Sequence, residues 1–348
     1  MIKTSVVILN WNGAELLKKF LPTVLMHTQT KNCEVVVADN CSSDNSIEVL
    51  KQHFPNVRLI LLDQNYGFAE GYNLALKQVT AKYVVLLNSD IETSENWLEP
   101  LIEHLENNSN TAAVQPKILS YANKSKFEYA GAAGGFIDRF GYPFCRGRIL
   151  DVLEEDRGQY DNTERIFWAT GACLCMRLSD YNEAGGLDGD FFAHMEEIDL
   201  CWRLQSRGKH IVCVPQSKVY HVGGASLSSE SPRKTHLNFR NNLLMIYKNE
   251  SRSRLIETFL IRIVLDKAAA FNFILSGKFK HARSIVKAYA DFLRMRPSFK
   301  HKREENLQKT ILTNIPQQYK GSILLDFYMR RKKTYHSLFP ISTASNEG

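Results

Sequence analysis

Two adjacent carboxylates, Glu196 and Glu197, begin a charged segment that ends near Arg203. If residues 196–206 form a helix, Asp199 and Arg203 are four positions apart and can pair, whereas Glu197 points to a different face. A carboxylate outside an ion pair can act as a general base that takes a proton from a hydroxyl group. An acidic first turn that stabilises the helix dipole is the structural alternative, and the spacing fits both interpretations.

A second candidate site for chemistry is Asn88-Ser89-Asp90, which directly follows the apolar run 84–87. A carboxylate at the end of a strand can hold a hard divalent cation, which in turn bridges to the phosphates of a substrate. A turn or a helix cap is the alternative. His221 follows another apolar segment and, taken alone, is more typical of a hydrogen-bonded histidine than of a metal ligand.

The elements that must position these residues alternate along the first part of the chain. Short apolar runs without polar alternation predict strands that are covered on both faces, and the segments between them have helical spacing. The predicted strands are 4–9, 34–39, 57–62 and 83–87, and the predicted helices are 14–26, 43–53 and 69–79. This order is typical of βαβ units and predicts an α/β protein with a Rossmann-like, mostly parallel sheet flanked by helices.

Polar clusters follow all four predicted strands. In open α/β sheets ligands bind outside the carboxyl ends of the strands. The clusters are 10–12, 39–40, 65–67 and 88–90. Asp39 can accept hydrogen bonds from a nucleoside base or ribose, although acidic residues are common at strand ends. Neither a Gly-x-Gly-x-x-Gly nor a Walker-type motif follows the first strand, which argues against a dehydrogenase or a nucleoside triphosphatase.

The rest of the chain changes character twice. Strand-like segments at 168–176 and 210–214 bracket the predicted helix 196–206. After residue 247, apolar residues recur at helical spacing with basic residues on other faces. We therefore predict a catalytic domain over 1–247, a basic amphipathic helical segment over 248–336 as a C-terminal appendage, and a flexible tail over 337–348.

The charge distribution indicates different partners for these parts. The chain of 348 residues has a net charge of +7, of which residues 1–250 carry about −5 and residues 251–334 about +13. Cationic helices with apolar stripes favour an anionic membrane surface, with a solvated basic cap as the alternative. The basic region contains no recognisable nucleic-acid module, so no nucleic-acid partner is expected.

Localisation follows from what the sequence lacks. We find no secretory signal, no apolar run long enough to span a bilayer, and no CxxC pairs among the seven cysteines. The predicted location is cytoplasmic, peripheral on the inner face of the cytoplasmic membrane.

Taken together, the ordered motifs resemble glycosyltransferase family two, the GT-A enzymes that include many bacterial rhamnosyltransferases. The resemblance spans about residues 4–245. It is carried by SVVILNWNG at 5–13, VVADNCSSDNS at 36–46, NYGFA at 65–69 with Asn73, Asn88-Ser89-Asp90, the acidic segment 196–203, and His221.

This resemblance implies a role for each candidate residue. Asp39 would contact the nucleobase, and Glu197 would be the catalytic base, with Glu196 in reserve, although the family has Asp at the position of Glu197. Asp90 and His221 would bind Mg²⁺ or Mn²⁺, and Asn88 stands where the family's metal motif has its first Asp. The remaining nucleotide-sugar residues would be Asn10, Asn12, Asn65, Gly67 and Asn73, and Gly186, Asp188 and Asp199 are predicted on the acceptor side.

The predicted activity is inverting transfer of a hexosyl or rhamnosyl group in cell-surface polysaccharide synthesis. The donor would be a nucleotide-diphospho-sugar, and the acceptor a hydroxyl of a saccharide or lipid-linked molecule. A non-catalytic nucleotide- or carbohydrate-binding protein of the same fold is the main alternative. A sugar nucleotidyltransferase is a weaker one, because no glycine-rich triphosphate loop is present. The nucleotide, the sugar, the linkage and the oligomeric state are not determined by the sequence.

Overall fold

The computed structural model describes residues 2–28, 32–223 and 231–339. Its first part alternates strands and helices, as the apolar runs predict, and confirms the α/β fold class. The elements are β1 Thr4–Asn10, α1 Ala14–His27, β2 Cys33–Asp39, α2 Ser46–His53, β3 Arg58–Leu61, α3 Gly67–Leu76, β4 Tyr83–Asn88, β5 Ile91–Thr93, α4 Glu99–Asn107 and β6 Thr111–Ser120. Helix α2 begins three residues later than predicted.

The middle of the chain contains short strands and the charged helix. These elements are β7 Gly135–Asp138, β8 Pro143–Cys145, β9 Arg148–Ile149, β10 Val152–Leu153, β11 Glu164–Ile166, β12 Cys173–Arg177, α5 Leu178–Ala184, α6 Glu196–Ser206 and β13 His210–His221. Helix α6 has the predicted bounds. The strand predicted over 168–176 is confined to β12, because residues 171–172 form a turn in which the Cys173 N–H donates to the Thr170 carbonyl at 3.3 Å.

The C-terminal part is mainly helical. It comprises α7 Pro232–Asn249, α8 Arg252–Leu275, α9 Phe279–Gln308, β14 Gln318–Tyr319, α10 Ile323–Tyr328 and α11 Tyr335–Leu338. Within the ranges that the structure describes, none of these helices combines the length and apolarity needed to cross a membrane. Beyond residue 339, the predicted tail lies outside the described residues, and the predicted division at 247 and 336 stays a prediction.

The main sheet has the strand order β11-β13-β6-β12-β4-β1-β2-β3, with β5 paired to β13. Strands β3, β2, β1 and β4 are parallel neighbours, whereas β12 is antiparallel to both β4 and β6. Side chains of the central strands fill apolar cores on both faces, with Val6 and Ile8 in one core and Val7 in the other. The parallel register brings the ends of β2, β1 and β4 to one edge.

Strand β6 is long and central but was not predicted, because polar residues interrupt its apolar pattern. Lys117 is fully buried in it, and its ammonium forms ion pairs with Asp156 at 2.9 Å and with Asp161. Gln115 is also fully buried, and its side-chain oxygen accepts from the Thr170 N–H at 3.0 Å. Distant partners compensate the burial of these polar groups, so a local pattern does not reveal the strand.

A second, five-stranded sheet with the order β10-β9-β8-β7-β14 was also not predicted, because its strands have only two to four residues. The last strand returns from the C-terminal part and pairs in parallel with β7. Asp138 on β7 is fully buried and accepts a hydrogen bond from the Ile323 N–H at 3.0 Å. Burial raises the pKa of Asp138 to about 6. Residues 318–323 therefore pack against the body of the protein.

Candidate active site

The ends of β1 and β2 form the first part of the site. Asn10 and Asp39 are register partners, and the Asn10 side-chain amide donates to Asp39 Oδ2 at 2.9 Å. The hydroxyl and the backbone N–H of Ser42 also donate to Asp39, at 2.7 and 2.8 Å. These contacts fix the carboxylate. Asn10 Oδ1 is buried and has no hydrogen-bond partner among the described residues, so a ligand donor would satisfy it.

The tight turn after β1 lies close to the end of β4. Asn12 has a φ of 50°, and its side-chain oxygen accepts from the Ser43 N–H at 2.7 Å. A Cβ at Gly13 would lie 2.4 Å from Asn10 Oδ1 and 3.6 Å from Ser89 Oγ. A larger residue at position 13 would displace the Asn10 side chain, and the ordinary contact distance to Ser89 means that the predicted nucleoside side adjoins the 88–90 cluster.

Asn65 and Gly67 lie on the other side of β2, where both contact the Asn40 side chain. The Asn40 amide nitrogen donates to the Gly67 carbonyl at 2.9 Å and to Asn65 Oδ1 at 3.2 Å. Gly67 has a φ of +74°, and a Cβ there would lie 2.5 Å from the Phe192 ring. These residues join the start of α3 to the segment before α6.

Asn88, Asp90 and His221 come together as predicted for a metal site. Asp90 Oδ1 lies 3.1 Å from His221 Nε2, and Asn88 Nδ2 lies 3.5 Å from the same nitrogen. The side chains of Asp90 and His221 are buried. Strand β13 presents the histidine beside β5, and the Val222 N–H donates to the Asp90 carbonyl at 3.1 Å.

The donors in this cluster suit a hard divalent cation that shares a diphosphate. In the part of the chain that the structure describes, no group of three or more His, Cys, Asp or Glu side chains is arranged to hold a metal ion. Asp90 and His221 supply one carboxylate and one imidazole, and Asn88 can turn its amide oxygen inward. Such cations commonly take their remaining ligands from water and substrate phosphates, so the residues fit.

Glu128 is a neighbour of the cluster that sequence reasoning missed. Its Oε1 lies 3.4 Å from His221 Nδ1. Burial alone would lower the pKa of His221, but hydrogen bonding and charge from Asp90 and Glu128 outweigh it and raise the pKa to about 10. A cation bound at Nε2 would have to displace a proton. No signal in the sequence around Glu128 marks this contact.

The predicted base lies at the start of α6, after a strained segment. Phe192, His194 and Met195 have φ values of 65°, 72° and 74°, which is a costly conformation for residues with side chains. Burial raises the pKa of Glu197 to about 7, although backbone N–H groups that include the one of Gly171 oppose the shift. Burial and the charge of Glu197 raise the pKa of Glu196 well above its usual value.

A single turn connects Glu197 to the cluster of Asn88, Asp90 and His221. A Cβ at Gly171 would lie 3.9 Å from the Glu197 Cβ and 3.0 Å from the Phe68 ring. The next residue, Ala172, accepts a hydrogen bond from the Asn88 N–H at 3.0 Å. Glu197 and Asn88 therefore flank the same turn, and a substituent at Gly171 would press on Phe68.

Helix α7 holds the strained segment in place through Asn241, another residue that sequence reasoning missed. Its side-chain nitrogen lies 2.9 Å from the Phe191 carbonyl oxygen and 2.8 Å from those of Ala193 and His194. Asn241 is fully buried. An asparagine inside a helix has no local signature that would reveal such partners.

The residues predicted on the acceptor side lie in a network of buried ions. Asp199 accepts from Arg203 at 2.9 Å, as its spacing predicts, and also from Lys248 at 2.9 Å and from Asn249 at 2.7 Å. Asp188 pairs with Lys248 at 2.7 Å and with Lys302 at 2.5 Å. Because these carboxylates are paired with cations, little acceptor capacity remains. Their role toward the acceptor stays a prediction.

Asn73 contacts the segment that precedes Asp188. Its side-chain oxygen accepts from the Tyr181 hydroxyl at 2.6 Å and from the Leu187 N–H at 3.1 Å. A cavity of about 500 Å³ is lined by Asn73, Gly186 and Asp188 together with side chains of α9. The nucleotide role expected for Asn73 remains a prediction.

Comparison with known proteins shows similarity to glycosyltransferases. Residues 5–160 match the family model described as Glycosyl transferase family 2. The chain is 25% identical over 232 residues to the N-acetylglucosaminyl-diphospho-decaprenol L-rhamnosyltransferase of Mycobacterium tuberculosis, covering 62% of this chain and 75% of that protein.

Solved structures with the same fold also carry ligands. GalNAc-T7 with UDP, GalNAc and Mn²⁺ has a TM-score of 0.55 at 16% identity, and the match covers 71% of this chain but only 48% of that one. Residues 1–349 of Staphylococcus aureus TarS in complex with UDP-GlcNAc have a TM-score of 0.55 at 16% identity, and the match covers 88% of this chain and 89% of that one. These likenesses support the GT-A fold.

Proposed function

We propose that this glycosyltransferase, whose residues 5–160 match the Glycosyl transferase family 2 model, transfers a sugar with inversion of configuration. The donor is a nucleotide-diphospho-sugar with a hexosyl or rhamnosyl group, and the product belongs to a cell-surface polysaccharide. The observation that carries the proposal is that Glu197 and the cluster of Asn88, Asp90 and His221 flank one turn.

Donor binding in this proposal uses the edge formed by β1 and β2. Asp39, held by Asn10 and Ser42, accepts hydrogen bonds from the nucleoside. The unpartnered Asn10 Oδ1 offers another acceptor, and the close approach of Gly13 to Ser89 leads from the nucleoside toward the diphosphate.

Asp90 and His221, with Asn88, would hold Mg²⁺ or Mn²⁺ against the diphosphate. The bound cation supplies neutralisation of the charge that develops on the leaving group. The likeness to GalNAc-T7 with Mn²⁺ supports this choice of ion. Glu128 faces the second ring nitrogen of His221 at 3.4 Å and orients the imidazole.

Glu197 acts as the general base. It takes the proton of the acceptor hydroxyl while the acceptor oxygen forms a bond to the anomeric carbon, and the bond from that carbon to the diphosphate oxygen breaks. A pKa of about 7 suits this task, because the carboxylate is both available and basic near neutral pH. Direct displacement assisted by one base on the face opposite the leaving group inverts the anomeric configuration.

The acceptor is a saccharide or a lipid-linked saccharide. The Mycobacterium tuberculosis relative is named for an acceptor on decaprenyl diphosphate, which supports a lipid-linked molecule here. The basic C-terminal part would bring the enzyme to such an acceptor at the inner, cytoplasmic face of the membrane.

A second candidate is a binding protein of the same fold without catalysis. The observation in its favour is that Asn88 is neutral and therefore a weaker metal ligand than an aspartate. Both candidates are tested by thermal shift and donor hydrolysis with UDP-, GDP- and dTDP-sugars, with and without Mn²⁺. We compare the wild type with Asp90→Ala, Glu197→Gln and, as a surface control, Glu103→Gln, whose side chain is exposed.

If the protein is a transferase, one nucleotide class should stabilise it, and this stabilisation should require Mn²⁺. The stabilisation should be lost in Asp90→Ala and kept in Glu103→Gln. Turnover with a suitable acceptor should disappear in Glu197→Gln. Nucleotide binding without turnover in the wild type across acceptors would favour the binding protein. A product with retained anomeric configuration, observed by NMR, would overturn direct displacement.

A further inference from the structure

Helix α8 buries polar residues against the protein and exposes apolar residues on its opposite face. The face that packs on the protein buries Thr258, Arg262 and Asp266, and the Arg262 guanidinium pairs with Asp266 at 3.0 Å. Arg262 also donates to the Phe140 carbonyl at 3.2 Å. Arg262 and Asp266 therefore bind the protein, and the opposite face carries mainly apolar residues.

The outward face of α8 is an apolar stripe. Its members and their exposed fractions are Ile256 72%, Leu260 62%, Val264 65%, Phe271 59% and Leu275 70%. At about 100° per residue these positions fall within an arc of about 100°, and the stripe is about 29 Å long. Monomeric proteins rarely expose apolar surface so continuously unless it binds something.

Helix α9, which packs beside α8, also exposes apolar residues and adds positive charge. Apolar side chains recur on it every seven residues at Phe279, Val286 and Leu293, with exposed fractions of 65%, 68% and 61%. Exposed basic residues lie among them, and Lys267 lies within the arc of the α8 stripe. The exposed lysines and arginines over residues 278–294 are Lys278, Lys280, Arg283, Lys287 and Arg294.

The acidic residues of this region offset only one of these exposed cations, Arg294. Asp266 is buried against Arg262, and Asp291 pairs with Arg294 at 2.5 Å and with His236 at 3.2 Å. Glu257 pairs with Arg139 at 2.6 Å. The outward surface of α8 and α9 over residues 256–294 therefore combines apolar stripes with net positive charge.

We propose that this α8–α9 surface is a membrane-docking face that lies in the plane of an anionic bilayer interface. The apolar stripes enter the boundary between headgroups and acyl chains, and the lysines and arginines bind anionic headgroups. The proposal deepens the proposed membrane location by naming the surface that contacts the lipid. It does not depend on the transfer chemistry.

A second copy of the chain fits this face less well than a bilayer does. In a symmetric dimer the same patch meets itself, so the cations of Lys267, Lys280 and Arg283 would face like charges. An anionic bilayer offers opposite charge together with an apolar layer, which matches both features of the surface.

The test uses the full chain and sedimentation with large vesicles, either of equal parts phosphatidylglycerol and phosphatidylcholine or of phosphatidylcholine alone. The wild type should bind the anionic vesicles at low salt and bind phosphatidylcholine at least tenfold more weakly. Val264→Glu should bind the anionic vesicles at least tenfold more weakly than the wild type. The control is Met26→Glu, because Met26 is similarly exposed, at 58%, but lies on α1 and should leave binding unchanged.

Three results would overturn the proposal. One is absence of wild-type binding to the anionic vesicles at low salt, and another is equal binding of Val264→Glu and the wild type. The third is a wild-type dimer, found by sedimentation equilibrium without lipid, that Val264→Glu converts to a monomer. Donor hydrolysis without vesicles separates this proposal from the transferase, because Val264→Glu should hydrolyse the donor at the wild-type rate.

Discussion

The Glu128 carboxylate and the His221 imidazole face each other across 3.4 Å, from Oε1 to Nδ1. Since Asp90 lies 3.1 Å from Nε2, each ring nitrogen of His221 has its own carboxylate. Glu128 is itself buried, and its other oxygen accepts from the Ala130 N–H. The charge of Glu128 favours a proton at Nδ1, which would leave Nε2 as the nitrogen that can bind a cation.

We therefore predict that Glu128→Gln weakens Mn²⁺ binding by about tenfold, because partners that orient a metal-binding histidine typically contribute 10- to 100-fold in affinity. Free Mn²⁺ is measured by electron paramagnetic resonance in the presence of a nucleoside diphosphate. Glu103→Gln makes the same chemical change on the surface and should leave the affinity unchanged. Equal Mn²⁺ affinity in all three proteins would show that Glu128 does not position His221.

The protonation of Glu197 predicts the pH dependence of turnover. Burial raises the pKa of Glu197 to about 7, and only the deprotonated form is a base. We expect kcat to rise with pH through about 7 and then to level off. Glu197→Gln should lower kcat by about 10²- to 10⁴-fold while donor binding stays unchanged.

Glu196→Gln is the comparison variant, because Glu196 is adjacent and nearly fully buried. Steady-state assays from pH 5.5 to 9 with saturating donor should retain the rise near pH 7 in this variant. If Glu196→Gln abolishes turnover and Glu197→Gln does not, the base is Glu196.

The raised pKa of Glu197 also predicts that the stability of the folded protein falls as pH rises, whereas turnover increases. A pKa raised by folding means that the folded state binds the proton more tightly than the unfolded state does. This contribution to stability is fully present below the ordinary glutamate pKa of about 4.3 and is lost as pH rises through about 7. Glu197→Gln should therefore be more stable than the wild type at pH 8.

Differential scanning calorimetry at pH 5 and pH 8 measures this effect. We expect the difference in Tm between Glu197→Gln and the wild type to become more positive by about 2 °C or more from pH 5 to pH 8. Glu103→Gln should show no such change. A Tm difference that does not vary with pH would contradict a raised pKa at Glu197.

Residues at strand ends were predictable because their positions follow from local pattern. Asp39 and Asn88 each come directly after an apolar run, and parallel pairing with β1 brings those runs to one edge. The pairing of Asp199 with Arg203 was predictable for a similar reason, since a helix fixes residues four positions apart.

Contacts between distant segments could not be predicted in this way. Lys248 approaches Asp199 from α7, and Glu128 approaches His221 across 93 positions of sequence. Lys117 is a charged residue in a buried strand. Its ion pairs with two loop aspartates offset the free-energy cost of burying the charge. The energy of each contact depends on a partner that no local spacing specifies.

Asn241 is a positioning residue in our interpretation, because its side-chain nitrogen contacts three carbonyl oxygens of the strained segment before Glu197. Removing the amide leaves buried carbonyls without a partner and releases the segment. We expect Asn241→Ala to lower kcat at least tenfold, with little change in the donor Kd.

Asn306→Ala is the control, because Asn306 is also a buried helix amide, but its side-chain nitrogen donates to Asn249 Oδ1 at 3.0 Å and to the Lys248 carbonyl at 3.4 Å, neither of which belongs to the strained segment. Both variants lose buried hydrogen bonds, so the free energy of unfolding measured in urea should fall by about 1–3 kcal/mol in each. A purely structural role for Asn241 predicts equal kcat values for the two variants. A positioning role predicts that only Asn241→Ala loses turnover, and that its nucleotide binding, measured by calorimetry, matches the control.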